Sequence, residues 1–337
     1  MTAASDFQIY AGNGEQISSR NLELPPFEKS EDLDHPRHYV ADDGLRNAVN
    51  VALALGQPLL VTGEPGTGKT QLAFGVAYEL ELPDKEHPAP LVFSTKTTST
   101  ASDLFYRYDA LAHFHAAQFK KDEQISAAEY IKYEALGRAI QLAQREGDPN
   151  RGLSAELKGK KPTRSVVLID EIDKAPRDLP NDVLSEIENM TFTVKETGRT
   201  FTADPSFRPI VVLTSNSEKN LPDAFLRRCV FYHIAFPSGA RLKEIVSRRI
   251  APTPEFTDEK INNAISHFEE IRAMGLTKPP ATAEFLAWLR VLERKNLDVK
   301  NLKPGDHVAL TFTYSILAKN KEDKAKLDSL FASSRKT

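Results

Sequence analysis

Short apolar runs alternate with stretches of helical spacing up to about residue 236, and beyond that only helical spacing remains. In DDGLRNAVNVALAL, Leu45, Val49, Ala52 and Leu53 recur at the three- and four-residue intervals that share one helix face. QPLLVTG follows as a short buried strand, its Gly63 opens a glycine-rich loop, and Lys69 to Tyr78 reads as the next helix. APLVFST is a second apolar run. From about Glu123 to Arg145, the positions Tyr130, Ile131, Leu136, Ile140 and Ala143 predict another helix. RGLSAELKGKKPTR is a basic loop, and SVVLID is a continuous apolar strand of the type buried on both faces of a parallel sheet. Leu179, Val183 and Ile187 repeat every four residues, as on one helix. TFTVKETGRTFTA alternates around a Thr-Gly turn and predicts a hairpin carrying Phe192, Val194 and Phe201. RPIVVLTSN and CVFYHIAF are two further strands. Strands alternating with helices over about 38 to 236 predict an α/β fold with a parallel sheet.

Past Pro237 come ARLKEIVSRRI, then TDEKINNAISHFEEIRAM with Thr257 as N-cap, then ATAEFLAWLRVLERKN after Pro279 and Pro280. PGDHVALTFTYSIL and a last helical stretch complete the chain. The expected organisation is an extended or flexible arm over 1–36, a nucleotide-binding domain over 37–236, and a smaller helical domain with a C-terminal helix over 237–337.

Composition narrows the function classes. Hydrophobic residues make up 40% and charged residues 27% of 337, an ordinary globular mixture. The net charge of -3 argues against a general nucleic-acid binder, whose affinity rests on a basic excess. Cys229 is the single cysteine, so no internal disulfide forms. The N-terminal residues lack the charged-then-apolar order of a secretory signal, and no run approaches the roughly 18 apolar residues of a membrane span. The expected location is cytoplasmic.

Candidate chemistry begins at Gly63-Glu64-Pro65-Gly66-Thr67-Gly68-Lys69-Thr70, a full G-x-x-x-x-G-K-[ST] pattern between a strand and a helix. Glycines let backbone N–H groups converge on phosphate oxygens, and the helix start adds its positive end. Lys69 suits the β- and γ-phosphates, and the Thr70 hydroxyl suits Mg²⁺. About 100 residues later, Val166 to Glu171 is an apolar strand ending in two acids. A strand ending in Asp-Glu is a weak signal alone, but after a complete P-loop it suits Asp170 to hold Mg²⁺ through water and Glu171 to polarise the attacking water. Thr214-Ser215-Asn216 ends the next strand, where the Asn216 amide suits the γ-phosphate or the lytic water. Arg227 and Arg228 follow the short helix LPDAF, and either suits charge stabilisation across a subunit boundary. Trp288 lies among Phe285, Leu286 and Leu289 and reads as core. Lys158, Lys160 and Lys161 read as a solvated loop, and Cys229 as a small buried residue. His113 and His115 have no Cys or further His in support, so they do not read as a metal site.

With GEPGTGKTQLA, TKTTSTASDLFYRYDALAHF, VVLIDEIDKAPRDLPNDVL and RPIVVLTSNSEKNLPDAFLRRCVFYHIAFP in hand, the chain resembles AAA+ ATPases, and within them the MoxR branch, over about residues 38 to 295. The resemblance implies a P-loop NTPase sheet of order 5-1-4-3-2 flanked by helices, with an all-helical lid, assembled as a ring, usually a hexamer. It implies ATP and Mg²⁺ as ligands, Lys69 and Thr70 as Walker A, Asp170 and Glu171 as Walker B, and Asn216 as sensor 1. Arg227 and Arg228 fall where the arginine finger is expected, Tyr39 and Val40 where the adenine is gripped, and the hairpin from about Thr191 to Thr202 where the MoxR-related group has its insertion. The sequence departs from many members at sensor 2: Lys278-Pro279-Pro280-Ala281-Thr282-Ala283-Glu284 contains no arginine, and Lys278 lacks the planar fork.

The function expected on this basis is ATP hydrolysis in a ring that remodels or activates a client protein. By analogy the client is a von Willebrand A-domain protein. A slow nucleotide-gated assembly switch is the second reading, and a nucleic-acid motor the third. No membrane partner is expected, and the acidic balance disfavours nucleic acid.

Overall fold

The computed structural model describes residues 35–119, 126–148, 151–218, 221–237, 239–250, 252–303 and 305–334. The proposed arm over 1–36 lies almost wholly outside them. Two compact units emerge, one over Tyr39–Ala235 and one containing the residues from Phe236 onward together with His35–His38.

In the first unit, α1 (Asp43–Leu55) starts where Asp42 accepts a hydrogen bond from the Leu45 N–H at 2.8 Å, and stops at Gly56 in the left-handed region. The strand β1 (Leu59–Gly63) and helix α2 (Lys69–Glu79) flank the glycine loop. β2 (Leu91–Ser94) is followed by β3 (Tyr106–Tyr108), α3 (Ala110–Phe119), β4 (Ile131–Tyr133) and α4 (Ala135–Leu142). β5 (Val166–Asp170), α5 (Leu179–Asp182), α6 (Leu184–Asn189), β6 (Thr191–Val194) and β7 (Arg199–Thr202) come next. β8 (Ile210–Ser215), α7 (Asp223–Leu226) and β9 (Val230–Ile234) complete the unit.

The main sheet is parallel throughout, in the order β2-β5-β8-β1-β9. Counting only its five strands, that is 5-1-4-3-2 read from the other edge, the arrangement the resemblance implied. Alternate residues feed two cores. Leu60, Val167, Ile169, Val211 and Leu213 join one, while Leu59, Val61, Val166, Leu168 and Val212 join the other. The central strands are therefore apolar on both faces and read as continuous runs.

Two local expectations are corrected. Among the described residues of the span Glu123–Arg145, α4 is the only α-helix, preceded by a 3-10 turn over Ala127–Tyr130, because Ile131–Tyr133 pairs antiparallel with Tyr106–Tyr108. The helical spacing of Tyr130 and Ile131 was outweighed by pairing with a strand some 25 residues earlier, which local periodicity does not register. The run through Leu179, Val183 and Ile187 is two short helices separated at Val183, not one. All three side chains are buried, so the spacing recorded burial rather than continuity.

The hairpin β6–β7 forms where expected, with Phe192 stacked on Phe201 at 5.0 Å and Thr193 and Thr200 joined at 2.8 Å. Phe192 also stacks on Phe105, and the Tyr106 hydroxyl accepts the Lys195 N–H, so hairpin and β3–β4 ribbon share one aromatic cluster.

The second unit is helical: α8 (Gly239–Ser247), α9 (Asp258–Ala273), α10 (Thr282–Lys295), α11 (Asp306–Thr313) and α12 (Lys321–Ser334). Its core closes around Trp288, fully buried with its indole N–H donating to Thr313 Oγ1 at 2.7 Å. The buried carboxylate of Asp323 on α12 accepts the backbone N–H groups of Thr277 and Lys278 and so ties the last helix to the loop before α10. No described helix is long and apolar enough to cross a membrane.

Candidate nucleotide site at the carboxyl ends of the strands

β1 ends at Gly63 with φ 152°, and a Cβ there would lie 2.6 Å from the Ile234 carbonyl oxygen, so only glycine fits the close approach. Gly68, at φ 90°, turns the chain into α2 with its N–H groups unshielded by a side chain. Thr67 Oγ1 donates to the Glu64 carbonyl at 2.9 Å and braces the loop. Glu64, Pro65 and Gly66 are exposed at its tip.

Lys69 opens α2 and is nearly buried, its Nζ donating to the carbonyl oxygens of Gly63 at 2.8 Å and Glu64 at 2.9 Å. Burial pulls its pKa below the ordinary lysine value, while the nearby Asp173, Asp170 and Glu171 oppose that shift. An ammonium hydrogen-bonded to carbonyl oxygens is ready to exchange them for phosphate oxygens.

One residue further on, Thr70 Oγ1 donates to Asp170 Oδ1 at 3.0 Å, across 100 residues of sequence. The parallel pairing of β5 between β2 and β8 places Asp170 at the strand's carboxyl end. Thr214 Oγ1, on β8, donates to the same Asp170 Oδ1 at 2.5 Å and accepts the Glu171 N–H at 2.9 Å. Glu171 has left the strand, with φ 56° and ψ 49°, and its carboxylate pairs with Lys174 Nζ at 2.5 Å. Asn216 is exposed just past β8, and its N–H donates to Asp173 Oδ1 at 3.2 Å.

Lys69, Thr70, Asp170, Glu171 and Asn216 are thus brought to one end of the sheet. Tyr39 lies against the same turn: Cβ atoms added at Gly68 and Gly75 would lie 3.3 Å and 3.1 Å from its ring. Val40, beside it, is half-buried. Arg227 and Arg228 sit after α7, and among the described residues no hydrogen bond or ion pair links either to the loop over 63–70. Arg228 instead binds Glu188 Oε2 at 3.4 Å and the Ala224 carbonyl at 3.0 Å. Cys229 is half-buried, with burial pushing its thiol up to about 12.

Three participants carry little signal in the sequence: Thr214, Asp173 and Lys174. Thr214 stands in the sequence as one of two hydroxyl residues that end an apolar strand, two positions before Asn216, and that is its one signal. Asp173 and Lys174 carry none, because acids and lysines after a strand are ordinarily solvated.

The donor set has a definite chemical character. Among the described residues no three His, Cys, Asp or Glu side chains group as a metal cage. One carboxylate and one hydroxyl beside a phosphate-shaped loop instead suit a hard cation that arrives with phosphate oxygens and water, the coordination habit of Mg²⁺. His113 is engaged elsewhere, stacked on Tyr130 and joined to the Tyr108 hydroxyl.

No curated protein matches the chain. The family model for the AAA domain (dynein-related subfamily) matches residues 58–229, just over half of the 337, and spans every element from the start of β1 to Cys229. A P-loop between β1 and α2, a parallel sheet in the 5-1-4-3-2 order and this match together make the chain a member of the dynein-related AAA domain family, a branch of the AAA+ ATPases.

Proposed function

We propose that this chain is a Mg²⁺-dependent ATPase of the MoxR branch that works as a ring, usually six copies, to remodel or activate a client protein. The observation that carries the hydrolytic reading is the meeting of Thr70 and Asp170 at 3.0 Å beside the nearly buried Lys69. Residues from β1–α2 and β5 supply the cation, hydroxyl and carboxylate that phosphoryl transfer requires at one place.

In this reading the loop over Gly63–Gly68 holds the phosphates with backbone N–H groups, and Lys69 leaves its carbonyl partners for the β- and γ-oxygens. Thr70, and Asp170 through water, would hold Mg²⁺, which would neutralise charge on the phosphate oxygens. Glu171 orients the attacking water and accepts its proton, Asn216 orients the γ-phosphate or that water, and Tyr39 and Val40 hold the adenine. Arg227 or Arg228 acts on the neighbour's nucleotide, and a von Willebrand A-domain protein is the kind of client the MoxR resemblance suggests.

A slow, nucleotide-gated assembly switch is the second reading. The pairing of Glu171 with Lys174 favours it, because a carboxylate engaged by an ammonium is not free to reach an attacking water.

ATP turnover measured against protein concentration tests the ring. Specific activity that climbs with concentration, and is lost in one arginine variant that still binds ATP, is the expected result. Activity flat with concentration, with Arg227→Ala and Arg228→Ala both matching wild type, would place a complete site within one chain and remove the ring mechanism.

A further inference from the structure

We propose, on the ATP-hydrolysing reading of this site, that Thr214 is a positioning residue whose single hydroxyl sets both the metal-binding carboxylate of Asp170 and the backbone of Glu171. The side chain is 1% exposed, so it exchanges nothing with solvent. Its one proton goes to Asp170 Oδ1, and a lone pair takes the Glu171 N–H, which leaves the hydroxyl a single rotational setting.

Sheet pairing explains why a side chain is needed there. The β5–β8 register runs from Val166 opposite Ile210 to Ile169 opposite Leu213 and then ends. One step beyond, Asp170 keeps a backbone bond on its other side, from Thr95 N–H to its carbonyl. Glu171 turns away at φ 56°, a conformation that a residue with a side chain keeps only when its surroundings hold it. The Thr214 hydroxyl takes over from the ladder where the strand departs. Asp170 Oδ1 receives both Thr70 and Thr214, and among the described residues no hydrogen bond reaches Oδ2. With Thr70 engaged by a cation, Thr214 would still orient the Asp170 carboxylate.

A buried hydroxyl with a purely structural role would give a different pattern of effects, so the test pairs Thr214→Val, which keeps the shape without the hydroxyl, with Thr214→Ser, which keeps the hydroxyl. Affinity for a fluorescent ATP analogue is measured with and without Mg²⁺, beside turnover and Tm. Expected are unchanged binding without Mg²⁺, loss of about tenfold or more of the Mg²⁺-dependent gain in Thr214→Val, a comparable fall in kcat at near-constant KM, and retention of both in Thr214→Ser. If the valine variant does not fold, Thr214→Ala takes its place. A Thr214→Val protein with the full Mg²⁺ gain overturns the proposal. So does an equal loss in the serine and valine variants accompanied by a fall in Tm, or a wild type whose nucleotide affinity ignores Mg²⁺. A wild type that binds Mg²⁺-nucleotide without turning it over instead refutes hydrolysis, while the Mg²⁺ gain still judges Thr214.

Discussion

Lys174 Nζ lies 2.5 Å from Glu171 Oε2, three residues away along the same turn, so the carboxylate expected to activate water is held by an ammonium in this structure. Both side chains are partly exposed, and such pairs are weak and screened by salt. Lys174→Ala should therefore raise turnover, by a factor of about five at most, without changing ATP affinity. Wild-type turnover should approach that of the variant as ionic strength rises, and steady-state assays across a salt series check both.

Lys69 separates binding from folding. Among the described residues its ammonium hydrogen-bonds to two carbonyl oxygens, so Lys69→Ala should leave Tm nearly unchanged while abolishing the Tm rise on adding ATP and Mg²⁺. Glu171→Gln should keep that rise and lose turnover by on the order of a hundredfold or more. Thermal melts with and without nucleotide, beside phosphate release, distinguish the two. Normal turnover in Glu171→Gln would remove Glu171 from the role of base.

Arg227 and Arg228 differ in their freedom. The Arg228 side chain is held by Glu188 and the Ala224 carbonyl, whereas the exposed Arg227 side chain makes no hydrogen bond or ion pair among the described residues. Arg227→Ala should be the variant that loses turnover, by on the order of a thousandfold, while still binding nucleotide. Mixing it with Lys69→Ala protein should restore activity at the interfaces where an intact loop meets an intact arginine. No recovery on mixing would count against a shared site.

Asp42 joins the start of α1 to the sheet. Its Oδ1 accepts the Leu45 N–H at 2.8 Å and the Tyr232 hydroxyl at 2.6 Å. Asp42→Ala should cost about 1–2 kcal/mol of stability, since it removes an N-cap and a partner of Tyr232 together. Asp42→Asn should recover most of that in denaturant titrations.

Cys229 has a pH signature. Its thiol, ordinarily near 9.0, is pushed up to about 12 by burial. The unfolded chain therefore loses the proton first, so stability is intact below about pH 9 and falls as pH rises towards 12. Relative to Cys229→Ala, wild type should lose stability over that window, as parallel denaturant titrations at stepped pH would register. The native thiol should also alkylate more slowly than the unfolded one at neutral pH.

Much of the α/β unit is legible in the sequence. VVLI and PIVVL are apolar without interruption because both faces of β5 and β8 are covered, and that requirement is written directly into composition. The glycine loop was equally legible, since Gly63 and Gly68 occupy backbone conformations that few other residues tolerate. Where local and distant preferences competed, spacing misled. Ile131–Tyr133 became a strand only because Tyr106–Tyr108 lay ready to pair with it.

By itself, the sequence determined which residues could serve: a lysine and a threonine after a glycine turn, two acids after an apolar run, an amide after another. Those choices depend on local backbone freedom and on burial, which a linear pattern carries. Only the tertiary structure decided how they act on one another. Asp170 meets Thr70 across 100 positions, and Thr214 reaches both Asp170 and Glu171, because parallel strands bring their carboxyl ends together. Hydrogen bonds are set by distance and direction in space, and neither is recorded in the order of residues along the chain.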